Sequence, residues 1–175
     1  MKLLKYLLGF IVILLLATTI FISLRSINMR STKTLPDFSE FIRNGNLNDL
    51  SLTIYYLSPN FLTRAPVREA DLINGWFEYK VTIHGIRLEK HIGLLNQIIN
   101  AALIPVEHAS SVDARLYYVF ETKTNGKIFS VSMWGDDNSI FVNGLEVKEN
   151  DVFYDVVMPF LPEDAVKELK VYLQK

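Results

Sequence analysis

The chain contains no cysteine. That absence removes disulfides, thiol catalysis and thiolate-bound zinc together. It suits either the cytosol or an export route that forms no disulfides. Histidine is scarce, occurring only at 84, 91 and 108. No two of these stand at the spacing of a helical metal pair, and neither H-E-x-x-H nor H-x-H occurs, so no metal or other cofactor is expected. The G-x-S-x-G elbow, the P-loop and the G-x-G-x-x-G pattern are missing too, so no catalytic residue follows from a motif. A clustered basic stripe is also lacking. Nucleic acid, whose binding needs Lys and Arg to displace counterions, is therefore not an expected partner.

Charge of either sign is absent from Tyr6 to Leu24, and this gap organises the rest. The run YLLGFIVILLLATTIFISL is nineteen residues long. As a helix it would extend about 28 Å, close to the hydrocarbon thickness of a bilayer. Its apolar core is longer than the roughly 7–15 residues of a cleaved signal peptide, and no A-x-A-like site follows it. The expectation is an uncleaved signal-anchor: a single pass through the cytoplasmic membrane. Lys2 and Lys5 flank one end, and Arg25, Arg30 and Lys33 the other, so the positive-inside rule is nearly tied. The signal-like layout favours the N-terminus inside and the main domain outside. The alternative is a domain tethered on the cytosolic side as a regulator.

Charge then divides the chain. Before Leu35 there are five basic residues and no acidic one; from Leu35 onward thirteen Lys and Arg face nineteen Asp and Glu, a net charge of −6. Arg25, Arg30 and Lys33 form a basic collar for anionic headgroups, each worth about 1 kcal/mol near a charged surface. The acidic remainder is expected to stand off the bilayer. Residues 1–24 thus read as a short tail and anchor, 25–36 as a polar linker, and 37–175 as one α+β domain, long enough to bury a core without staples.

Within that domain, Asp37 can cap a short helix with Phe38, Phe41 and Ile42 on one face and Asn44-Gly45 as its stop. Leu50, Leu52, Ile54 and Tyr56 alternate with Ser51, Thr53 and Tyr55 as in a half-buried strand. Residues 60–75 are the least regular stretch; Pro66 can open a short helix through Ile73, stopped by Asn74-Gly75. A second strand runs from Phe77 to His84. Apolar residues at 88, 92, 95, 99 and 102 then predict one helix with a single buried face, closed by Pro105.

Next come strand patterns either side of Asn125-Gly126 and again of Asn143-Gly144. An Asn-Gly pair between strands is the strongest short hairpin signal. The two hairpins predict a four-strand antiparallel meander joined by Gly135-Asp136-Asp137-Asn138. Two helical segments finish the chain, one capped by Asn150 or Asp151, the other opened by Pro162, Glu163 and Asp164. Segregated helices and strands give an α+β fold with a mostly antiparallel sheet packed against helices.

Two constellations could carry function. Asp136 and Asp137 beside Trp134 offer carboxylates near an aromatic platform, for a cation or a sugar. The same residues also satisfy ordinary turn chemistry. With His84 they make the alternative of an envelope hydrolase. Aromatics form the second set: Trp76, Trp134, Tyr55 and Tyr117. The adjacent pairs Tyr55–Tyr56 and Tyr117–Tyr118 point to opposite sides of a strand, so each pair needs either a second covering layer or a partner surface.

The run from Ile140 to Val147 resembles hairpins of the copper amine oxidase N-terminal-like type. The resemblance is confined to those residues and implies no shared function. The general layout resembles small membrane-anchored bacterial proteins. The expected role is a non-enzymatic binding module at the outer face of the membrane, recognising a protein or envelope component. The mature chain should therefore stay in the membrane fraction with its N-terminus intact. N-terminal sequencing that found it free in culture fluid, starting after Leu24, would replace the anchor with a removed leader.

Overall fold

The computed structural model describes residues 38–173 apart from 45–46, 102, 108–109 and 135–138. The run Tyr6 to Leu24, the linker, the cap at Asp37, and His108, Asp136 and Asp137 lie outside the described residues. Among the described residues no helix is long and apolar enough to cross a membrane.

The domain is α+β, built on a six-stranded antiparallel sheet. After a first helix, α1, over residues 38–43, the strands are β1 (Leu50–Tyr56), β2 (Tyr79–His84), β3 (Leu116–Thr122), β4 (Gly126–Met133), β5 (Ile140–Val142) and β6 (Leu145–Val147). Their spatial order is β2-β1-β3-β4-β5-β6. The expected meander is β3 to β6, and the two earlier strands extend it. Asn143 and Gly144 have φ of 51° and 81°, both positive as a two-residue type I′ turn requires. The first hairpin closes differently. Gly126 alone of its pair has positive φ, 66°. The Asn125 amide bonds to Thr122 Oγ1 at 2.9 Å, and the register slips between Phe120 and Glu121.

Both faces of the central strands are covered. On one face Leu52, Ile54, Tyr56, Leu116, Tyr118, Phe120, Phe129 and Val131 meet the larger helical layer. That layer contains α1, α3 (Ile86–Glu89), α4 (Ile92–Asn100), α5 (Val152–Asp155) and α6 (Glu163–Leu173). Phe38 lies 4.8 Å from both Phe120 and Phe129, stacked on the latter at 18°. On the other face Tyr55, Leu57, Tyr117 and Val119 are covered by Val67, Leu72 and Ala114. Leu72 belongs to α2 (Glu69–Ile73). The chain thus supplies its own second layer for the adjacent tyrosine pairs.

Three local expectations are corrected. The single helix expected from Leu88 is two: α3 begins at Ile86, and the helix breaks before α4 resumes at Ile92. Leu88, Leu95 and Ile98 are its buried positions; the break shifts the face, so Ile92 and Ile99 are only partly covered. The helix expected from Pro66 begins at Glu69 instead, where the Asp71 carboxylate accepts the Arg68 amide at 2.9 Å. Pro105 does not close the helix, which ends at Asn100. It bridges to Val147, and Lys148 donates to the Ile104 carbonyl at 2.8 Å, so this segment shields the β6 edge. The other edge, β2, carries Lys80, Thr82 and His84, charged or polar residues that discourage strand addition.

Gly85 makes the corner from β2 into α3. Its φ is 27°, and a Cβ there would sit 3.0 Å from the Leu47 carbonyl oxygen. Gly93 in α4 is the contrast, with nothing within 4 Å of the position of a Cβ. Gly85→Ala should therefore destabilise the domain by about 1–3 kcal/mol. Gly93→Ala should stabilise it by about 0.5–1 kcal/mol, because helical alanine forfeits less backbone entropy. Chemical denaturation of the two variants beside the parent measures both signs.

Candidate functional site

The sheet has one end where β1 and β4 finish and β2 and β3 begin. Three features gather there: a carboxylate node, a pinned loop and an apolar hollow.

The node belongs to α6. Its sequence buries Ala165 and Leu169 on the sheet, which leaves Glu168 on the helix flank, facing the end of β1. The Glu168 carboxylate accepts hydrogen bonds from Ser58 Oγ at 2.6 Å, from the Tyr56 hydroxyl and from Asn60 Nδ2. Tyr172, one turn further on, donates to Asn60 Oδ1 at 2.6 Å. Its ring meets Trp134 edge-on at 5.0 Å. Burial opposes ionisation of Glu168, but the bonds from Ser58, Tyr56 and Asn60 outweigh it and hold its carboxyl below the usual value. Burial also pushes the Tyr56 hydroxyl well up, reinforced by its bond to Glu168. A carboxylate held ionised and occupied by three donors is a clamp on α6 rather than a proton donor near neutrality.

The loop runs from Leu57 to Arg68. Arg115 is only 5% exposed. Its guanidinium donates to the Phe61 carbonyl at 2.9 Å, to Thr63 Oγ1 at 3.1 Å and to Asp113 Oδ2 at 2.9 Å. The other Asp113 oxygen accepts the Val67 amide at 2.8 Å. A buried charge must be paired and fully bonded to be tolerated, and here the loop backbone supplies part of that bonding. Arg115 therefore fixes the loop, and the loop presents Phe61 and Leu62 outward, 50% and 94% exposed.

Beside it, α2 ends at Asn74 and Gly75, the latter with φ of 119°. This turn carries Trp76 outward, 55% exposed. Phe61 and Trp76 share a hollow of about 340 Å³ with Leu57, Gly75, Phe77 and Glu78. Large apolar side chains held in water by an ordered backbone are the informative kind of exposure.

The candidates from sequence fall in different places. Trp76 lies on this surface. Trp134 is buried against Tyr172, with φ of 108°. Tyr55 and Tyr117 stack at 5.9 Å inside the second layer, and Lys80 Nζ sits 4.9 Å above the Tyr55 ring. Asp136 and Asp137 lie outside the described residues. His84 closes β2, whereas β4 ends at Met133 three strands away. By strand register, spacing and rise the two corners are about 20 Å apart. His91 rests edge-on to Phe160 at 4.6 Å. Among the described residues no group of three or more His, Asp or Glu is placed to hold a metal ion.

Glu168, Arg115, Phe61 and Leu62 escaped the reading of the sequence. Glu168 and Arg115 act on residues far along the chain, which periodicity does not register. Phe61-Leu62 did leave a signal: two large apolar residues in an irregular stretch with no strand or helix to bury them.

Comparison with protein-family models, with curated proteins and with solved structures returned no match.

The clamp makes a pH prediction. Glu168 has a carboxyl pKa lowered from 4.5 in the folded domain. Its contribution to stability is therefore complete above that value and disappears as pH falls through the folded pKa. Glu168→Gln should cost about 1–3 kcal/mol at neutral pH. It should also flatten the acid limb of the stability curve, as read by denaturant unfolding at a series of pH values.

Proposed function

We propose that this chain is a single-span membrane protein whose α+β domain lies outside the cytoplasmic membrane and works by binding an envelope component, without catalysis of its own. The observation that carries the reading is the surface formed by Phe61, Leu62 and Trp76. Leaving such residues in water costs the domain stability, and the buried Arg115 holds two of them there. The expense makes sense when the surface is covered in use. The apolar run Tyr6 to Leu24 supports the membrane placement, because a segment of that length and composition is stable in lipid and not in water. The arrangement of Glu168, with its acceptor capacity taken up by Tyr56, Ser58 and Asn60, supports a structural node rather than a reaction centre.

Protease added to intact cells tests the placement. The domain should be digested from outside while a cytosolic marker survives. Full protection, lost only when cells are opened, would assign the domain to the cytosol and make it a tethered regulator.

A further inference from the structure

We propose that the Phe61–Leu62–Trp76 surface docks on the bilayer that anchors the chain, with Leu62 and Phe61 entering the acyl boundary and Trp76 resting at headgroup level. This rests on the membrane-anchor reading and names the envelope component as the lipid surface itself.

The shape of the surface favours lipid. Leu62 is a protruding tip, 94% exposed, beside a shallow hollow. A fluid interface closes around a projecting tip, whereas a folded partner would have to supply a matching cavity. The composition agrees: tryptophan concentrates where hydrocarbon meets headgroups, and leucine and phenylalanine enter the layer below. The tip is also ready-made. The bonds from Arg115 to Phe61 and Thr63, and from Val67 to Asp113, order the loop before any contact, so little entropy is lost on insertion.

Charge near the tip is mixed, so apolar insertion rather than charge has to carry the docking. Arg64 is exposed on the loop and can meet lipid phosphates. Of the nearby acids, Asp71 is paired with Arg68, whereas Glu69, which accepts Ser132 Oγ at 2.8 Å, keeps its charge. Glu78 at the rim of the hollow opposes docking. The net charge of −6 beyond Leu35 argued for a domain held off the membrane. At physiological ionic strength, however, charges more than about 8 Å from the surface are largely screened, so the local set governs.

Tethering supplies the rest. Residues 25–36 are twelve in number. Fully extended, such a segment reaches about 40 Å. A domain of this size is about 35–40 Å across, so the linker's reach is comparable to the domain's width and leaves it room to reorient against the bilayer. The anchor holds the local concentration of lipid surface high, and a small apolar tip then suffices where an untethered domain would need a larger one.

The two tryptophans are the probes. The full-length chain is reconstituted in phosphatidylcholine–phosphatidylglycerol vesicles, made with either ordinary or dibrominated acyl chains, and recovered by flotation. Bromine quenches indole fluorescence only at close range, and Trp134 is buried. Emission should be lower by about a third in brominated vesicles if Trp76 sits at the interface. The difference should vanish in Trp76→Phe. It should fall at least about twofold in Leu62→Asp, a change at a side chain too exposed to disturb the core. Equal emission in both lipids from chain that floats would overturn the docking while leaving the anchor standing. So would a difference that survives Trp76→Phe. A reconstituted chain that fails to float would overturn the anchor and the docking together. Lack of quenching in lipid, combined with a photo-crosslink from position 62 to one cellular protein, would hand the surface to that protein instead.

Discussion

The constraint on which the domain depends is that β1 and β3 carry large side chains to be buried on both sides. Leu52, Ile54, Tyr118 and Phe120 on one face, and Tyr55, Tyr117 and Val119 on the other, are all buried. A sheet with one wet face would expose half of them. Burying a large apolar side chain is worth about 1.5–3 kcal/mol, so each face needs a cover. The larger cover is the helical layer centred on Phe38, Leu95, Phe153 and Leu169. The smaller one is α2 with the segments around Val67 and Ala114. The small cover is what creates the exposed surface. To bring Leu72 down on the sheet the chain must run from β1 out to α2 and back to β2, and the residues at both turns, Phe61-Leu62 and Trp76, are left at the rim.

Arg115 and Glu168 both hold the outgoing half of that excursion. Arg115 closes on the backbone of the outgoing loop, and Glu168 gathers its first residues, Ser58 and Asn60, under α6. Both are charged groups whose partners come from segments far away in sequence. Removing either partner would leave a polar or charged group short of bonds, which couples the loop to the body of the domain more tightly than apolar contact would. Exposed ion pairs such as Lys167 with Glu163 contribute little by comparison.

Much of the fold could be read from local signals. Asn143-Gly144 announced its turn because only certain residues tolerate two successive positive φ values, and the alternation in residues 50–56 and 116–120 announced strands. Where reading failed, the deciding contact was distant. The corner into α3 needs Gly85, because a Cβ there would meet the Leu47 carbonyl, a neighbour far along the chain. Val67, Leu72 and Ala114 carry no shared period, so the second layer was only one of two alternatives for the paired tyrosines. The candidate surface was half legible. Trp76 stood out by its type, whereas Tyr55 and Tyr117 are the same kind of residue turned inward. Local sequence says that an aromatic side chain sits on a given side of a strand, but not whether another segment will arrive to cover it.

The strand order has a consequence for how the polypeptide matures. β1 lies between β2 and β3, so one of its two neighbours is made much later than the other. Once β2 has left the ribosome, the nascent chain holds only a two-stranded ribbon, marginal by itself. The residues between His84 and Leu116 take about 2–6 s to synthesise. During that interval β1 offers an unsatisfied edge, and Tyr55 and Tyr56 at its end lack the strand they pack beside. The sheet of this domain therefore cannot close around β1 until β3 has been translated.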